Sequence, residues 1–141
     1  MVIRHIQPND YRALCDLWQA AHLSFDIGDA EEDFAWALQH YGQHYFVLEE
    51  GSRIIGSVLA AFDGRRGWIY HLAVHPEFQR RGLGRRLMEH AEASLSHMGC
   101  LKVNLLIEPH NLAVQQFYSR LGYNAADNHF MEKIIRSQEI Y

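Results

Sequence analysis

Apolar positions along this chain change period several times, and each change marks an element. VIRHI (2–6) predicts a first strand. Pro8-Asn9-Asp10 then offers a helix start, and Leu14, Leu17, Trp18 and Ala21 recur at helical spacing across 10–22. Phe34, Ala37 and Leu38 repeat that spacing after Asp29, predicting a second helix. HYFVLEE (44–50), RIIGSVLAAF (53–62) and GWIYHLAV (67–74) read as strands. Turn signals at Gly51-Ser52 and Asp63-Gly64 join them into a meander.

The helical period returns with Leu83, Leu87, Met88, Ala91, Leu95 and Met98, and Gly99 can end that helix. KVNLLI (102–107) reads as a short buried strand. Strand, helix, strand is a crossover, which makes 67–74 and 102–107 parallel neighbours. Asn111 can cap a further helix over 112–121, with Val114, Phe117 and Leu121 inward and Gly122 just past its end. HFMEKII (129–135) predicts a last strand. The expected fold is α/β of the mixed, α+β type: a central mixed sheet with about four flanking helices. No repeat or linker interrupts it, so 1–141 is expected to be one domain.

Composition narrows the function classes. Hydrophobic residues are 48% and charged ones 21%, ordinary for a globular protein. A formal net charge of −4 argues against general nucleic-acid binding but leaves room for a local basic patch. No apolar run approaches the ~18 residues of a membrane span, and MVIRHIQPND has no signal-peptide core. Cys15 and Cys100 are far apart, which suggests reduced thiols in a cytoplasmic protein. Histidine is frequent, yet His71 and His75 lie on or just beyond a strand, ~13 Å apart at strand rise. His90 and His97 lack acidic or thiol companions at ligand spacing, so no metal is expected.

The sharpest chemical signal is FQRRGLGRRL (78–87), where a strand hands over to a helix. Helix N-termini offer unpaired N–H groups and a partial positive charge, which suit a phosphate. Glycine at 82 and 84 removes Cβ atoms that would hold an anion away. Arg80, Arg81, Arg85 and Arg86 add charge and bidentate donors. The stretch is neither a Walker A loop nor the dinucleotide fingerprint, whose third glycine position falls on Leu87. A glycine-eased turn with solvated arginines is the plain alternative. A second feature is DIGDAEED (26–33), where Asp29 could cap a helix whose first turn carries Glu31, Glu32 and Asp33.

HLAVHPEFQRRGLGRRLMEHA and IEPHNLAVQQFYSRLGY together resemble the GNAT superfamily of N-acetyltransferases. The loop matches Gln/Arg-x-x-Gly-x-Gly/Ala through Gln79, Arg80, Arg81, Gly82, Leu83 and Gly84, and both motifs stand in the family's order. Among subfamilies the chain is most similar to the small bacterial YpeA-like acetyltransferases, and next to the ribosomal-protein N-terminal acetyltransferases. The resemblance implies a sheet of six to seven strands with a splayed parallel pair. It implies acetyl-coenzyme A as acyl donor, direct transfer to a primary amine in a ternary complex, and a homodimer as a common assembly.

The resemblance also assigns roles. Residues 80–85, ending at Arg85, would hold the pyrophosphate, and Leu72, Ala73 and Val74 would pair with the pantetheine arm and polarise the thioester. HLAV could equally be a plain core strand. Asn111 would lie near the coenzyme while capping its helix. Tyr118 would protonate the departing thiolate; packed beside Val114, it could instead be a core tyrosine. Relatives carry a glutamate base where Leu106 stands, so that role does not transfer. His71 and Glu108 remain as base candidates, either of which could act through water. The acidic 26–33 segment would border the acceptor site and attract a cationic amine, with Trp36, Tyr41 and Tyr45 lining it. Loss of the glutamate leaves open a catalytically silent acyl-coenzyme A sensor. RNA binding through the arginines is disfavoured by the acidic charge and the lack of aromatics among them.

Overall fold

The computed structural model describes residues 1–139. Its elements are β1 (Val2–His5), α1 (Tyr11–Ala20), α2 (Glu31–Tyr41), β2 (Tyr45–Glu50), β3 (Arg53–Phe62), β4 (Gly67–Val74), α3 (Leu83–His97), β5 (Val103–Asn104) and α4 (Leu112–Arg120). One sheet runs in the order β1-β2-β3-β4-β5, antiparallel except for the parallel β4–β5 pair. Helices cover both faces. Leu48, Ile55 and Val58 pack with Leu87, Met88 and Leu95 of α3 on one side. Val47 and Leu59 pack with Leu14, Leu17 and Trp18 of α1 on the other. Because neither face is wet, β2 and β3 read as nearly continuous apolar runs rather than alternating ones.

The mixed α/β architecture is as expected, but the sheet has five strands among the described residues, not six to seven. KVNLLI contributes only Val103 and Asn104, which pair with Gly67 and Trp68. Past that point Leu105, Leu106 and Ile107 diverge from β4. HFMEKII forms no strand. A two-residue β5 is too short a template for a further ladder, and Met131 and Ile135 stay 88% and 91% exposed. Pro8–Asp10 forms a separate single turn ahead of α1, where Arg4 binds Asp10 at 2.8 Å and Glu49 at 3.1 Å.

Two details of β4 shape the functional region. Leu59 faces Tyr70 while Ser57 faces Ala73, so β4 carries one extra residue there. This is a bulge, and His71 within it has a φ of +50°. After Trp68 and Asn104 the parallel pair separates, which leaves one edge of β4 unpaired through Val74.

Candidate active site

A cavity of about 800 Å³ opens where β4 and the 105–111 segment part. Gln79 donates its side-chain amide to the Val74 carbonyl at 2.9 Å, while the His75 amide pairs with Ile55 on β3. Strand alternation therefore turns the Val74 backbone, and that of Leu72 with it, toward the cleft, whereas Ala73 lies opposite Ser57. The cavity thus meets free main-chain groups of β4.

The loop beyond Gln79 delivers more of them. Arg80 and Gly82 have φ of +64° and +75°, left-handed values on either side of Arg81. The first helical bond of α3 runs from the Arg86 amide to Gly82. Among the described residues, the amides of 80–85 donate to no protein acceptor. A run of this kind, at the positive end of a four-turn helix, is an anion cradle. The two glycines do different things. Gly82 faces open space and is needed for its conformation, whereas a Cβ on Gly84 would meet the Phe117 ring at 3.2 Å. Gly84 lets α4 pack closely on α3, a reason distinct from the anion approach the sequence suggests. Leu83 is buried in the core. Arg85 reaches Glu89 and the Arg120 carbonyl, each at 3.4 Å, and Arg81 lies over the Phe78 ring.

Tyr118 of α4 is 8% exposed and lines the cavity. Burial pushes its hydroxyl far above the ordinary tyrosine range, so it holds its proton. Among the described residues the hydroxyl has no hydrogen-bond partner, and no fully buried side-chain oxygen or nitrogen is left unpaired. The oxygen therefore opens to the cleft. Asn111 accepts the Val114 amide at 3.2 Å, the predicted cap, while also lining the cavity. Glu108 is exposed at the rim, and Leu106 lines the wall.

His71 has the most developed surroundings. Its Nε2 lies 3.1 Å from Asp29 Oδ1, and its ring packs against Trp18 at 4.4 Å between centroids. Trp18 Nε1 donates to Ser57 Oγ at 2.9 Å, and Ser57 in turn donates to the His71 carbonyl at 2.8 Å. Sequence reasoning missed Trp18 and Ser57, although Ser57 is the lone hydroxyl inside RIIGSVLAAF. It also expected Asp29 to cap α2. The N-cap is Ala30, without a side-chain bond; the Asp29 carboxylate instead accepts the Asp26 amide at 2.8 Å and faces His71. Tyr45 lines the cavity as expected, but Trp36 does not: it is exposed and stacked on His40 at 3.7 Å. Tyr41 lies outside the cavity lining as well. Among the described residues, no three His, Cys, Asp or Glu side chains are gathered as metal ligands. Among the described residues, no helix is long and apolar enough to cross a membrane.

The profile of the Acetyltransferase (GNAT) family matches residues 11–123. An acetyltransferase of Pectobacterium atrosepticum is 35% identical over 127 residues, covering 90% of each chain. One of Yersinia enterocolitica is 35% identical over 140 residues, covering 99% of each. Among solved structures, the ribosomal-protein-S18-alanine N-acetyltransferase of Escherichia coli superimposes with a TM-score of 0.73 at 28% identity, over 89% of this chain and 78% of that one. The PaiA N-acetyltransferase of Thermoplasma acidophilum, bound to coenzyme A, gives 0.81 at 16% identity over 91% and 92%, a likeness of fold. With the parted strands and the amide cradle, these matches establish that the chain belongs to the GNAT family and is an acetyl-coenzyme A-dependent N-acetyltransferase.

Proposed function

We propose that this enzyme acetylates a cationic primary amine by direct attack in a ternary complex, with His71 as proton acceptor and Tyr118 as proton donor. The pyrophosphate binds the amides of 80–85, with Arg80, Arg81 and Arg85 around it, and Gln79 and Asn111 flank the coenzyme. The pantetheine arm runs along the open edge of β4 through Leu72 and Val74, while Ala73 supports it from the β3 side. A main-chain N–H there also holds the oxyanion, a contribution of ~3–4 kcal/mol in other acyl transfers.

Protons then balance as follows. The ammonium group gives one proton to His71, directly or through water, and its freed lone pair attacks the thioester carbonyl. The tetrahedral adduct collapses, the C–S bond breaks, and Tyr118 supplies a proton to sulfur. The nitrogen still carries one proton too many and passes it to the tyrosinate, which leaves the neutral N–H amide, and His71 releases its own proton to solvent. Cysteine takes no part: neither Cys15 nor Cys100 lines this cleft.

The observation that carries this reading is the oriented imidazole at the bulge. Glu108, the other candidate, is exposed and has no side-chain partner among the described residues. Asp26, Asp29 and Glu108 line the cleft, and among the described lining residues none is Lys or Arg, so the acceptor side favours a cation. A small molecule and a protein amino group both satisfy that chemistry; the E. coli neighbour, named for a ribosomal-protein alanine, supports the second. Cytoplasmic residence is supported by two free cysteines, the absence of nucleic acid among the partners by the −4 charge, and a homodimer by the exposed apolar tail around Met131.

The test is steady-state acetylation of an amine panel. His71→Asn tolerates the left-handed backbone and does not titrate near neutrality; kcat is expected to fall by ~10²–10⁴, with acetyl-coenzyme A affinity retained. Glu108→Gln is expected to change kcat less than threefold or so. The reverse ranking would transfer the role to Glu108.

A further inference from the structure

We infer that Asp29 is a positioning residue for His71: its carboxylate fixes the imidazole tautomer and ring orientation, so that Nδ1 is the atom that takes the substrate's proton. This rests on the base reading above and deepens it. The geometry comes from two distant segments. Asp29 is delivered by the loop between α1 and α2, where it is pinned three ways. Its Oδ2 accepts the Asp26 amide at 2.8 Å, its carbonyl accepts Tyr11 Oη at 2.6 Å, and its Oδ1 faces His71 Nε2 at 3.1 Å. Both side chains are about one-fifth exposed, so their interaction is poorly screened.

The other half of the pair is equally constrained. A non-glycine residue at φ +50° is strained and persists only where its surroundings over-determine it. Here they do: Trp18 packs against the ring, and Ser57 holds the carbonyl. With a carboxylate at Nε2, the proton of neutral His71 resides on Nε2 and the lone pair on Nδ1. Among the described residues Nδ1 has no hydrogen-bond partner, and no fully buried side-chain nitrogen is unpaired, so this lone pair opens to the cavity. Once Nδ1 takes a proton, both nitrogens carry one, and Nε2–H still donates to the Asp29 carboxylate at 3.1 Å, so the ring keeps its orientation.

Asp29→Asn separates charge from shape. Asparagine can still accept the Asp26 amide, but its NH₂ group would face Nε2 and force the imidazole proton onto Nδ1, blocking the lone pair. The titratable groups around the site are Asp29, Asp26 and His22 from the α1–α2 loop, Tyr70 beside His71 on β4, Tyr45 of β2, Glu108 beyond β5 and Tyr118 of α4. Of these, only Asp29 is hydrogen-bonded to the ring.

The experiment compares wild type, Asp29→Asn, Asp29→Glu and His71→Asn by kcat, KM for amine and acetyl-coenzyme A affinity. Asp29→Asn is expected to lower kcat by roughly ten- to a hundredfold, within the range for a general base. It should leave KM for the amine and acetyl-coenzyme A affinity within about twofold. Asp29→Glu, which keeps a carboxylate for Nε2, should restore part of kcat. If His71→Asn loses activity while Asp29→Asn keeps its kcat, the positioning role is overturned and the base reading stands. If His71→Asn remains fully active, the base reading falls and the Asp29 role with it. Loss in Asp29→Asn confined to KM for the amine would make Asp29 a substrate-binding carboxylate and overturn the inference.

Discussion

At the scale of single residues, Tyr118 illustrates how one environment sets a chemical role. Packed among Phe117, Tyr123 and the α3 side of the core, its ring is buried, and the residue lines the cleft. Burial raises the energy of the phenolate, so the proton stays on oxygen through the working pH range. A thiolate forming in the same dry space is destabilised for the same reason, which favours its protonation. Tyr118→Phe keeps the ring and removes only the hydroxyl. Turnover is expected to fall by about 10²-fold with little change in KM for acetyl-coenzyme A, measured by initial rates. Wild-type kcat should show no alkaline limb from this hydroxyl below about pH 10, because its raised pKa lies beyond the ordinary phenol. A variant as active as wild type would return Tyr118 to a purely structural role.

Elements show what the sequence made legible and what it did not. The meander and the long helix were readable because their period is local: β3 and β4 begin and end where the turn residues indicate. The cleft-forming features were not, since each depends on distant partners. His71 sits in an apolar run that gives no sign of a bulge; the extra residue follows from how β4 registers against β3. Asp29 has the composition of a cap, but a partner 42 positions away takes its carboxylate. HFMEKII carries enough apolar residues to read as a strand, yet strand formation needs a neighbouring edge, and β5 supplies two residues. The GxG pair reads as one device in the sequence, whereas its two glycines meet different demands in the fold. Gly82→Val forces a branched side chain into the left-handed region at the mouth of α3, so calorimetric affinity for acetyl-coenzyme A should drop at least tenfold or so. Gly84→Val pushes on Phe117 instead. Its main expected effect is a loss of about 1–3 kcal/mol of stability from overpacking, seen as a lower melting temperature. Equal effects of the two substitutions on affinity and on stability would refute that division of labour.

For the whole molecule, the two helical layers must hold the sheet between them while the sheet parts on one side, and His44 shows where they are tied. It lies on the single turn between α2 and β2, is buried, and joins Ser94 of α3 through Nδ1 at 2.9 Å. The connection from the α1–α2 layer thereby meets the α3–α4 layer beyond the end of the strands. Burial, reinforced by nearby His5, holds the His44 pKa below the usual imidazole value. A depressed folded-state pKa means that the unfolded chain takes up this proton first as pH falls. The stability contributed by neutral His44 is therefore complete above the unfolded value of about 6.5. It is lost as pH drops toward the lower folded value, by at most about 1.4 kcal/mol per pH unit. His90, exposed on α3 but likewise depressed by desolvation, adds a smaller, solvent-screened part to the same slope. Urea unfolding of the wild type between pH 8 and pH 5 should show stability falling below about pH 6.5, while His44→Gln, which retains a hydrogen-bonding side chain without a titrating ring, should show a shallower decline. An unchanged slope in that variant would mean that the tie between the layers is not the acid-sensitive element, and would leave the decline to His90 and the carboxylates.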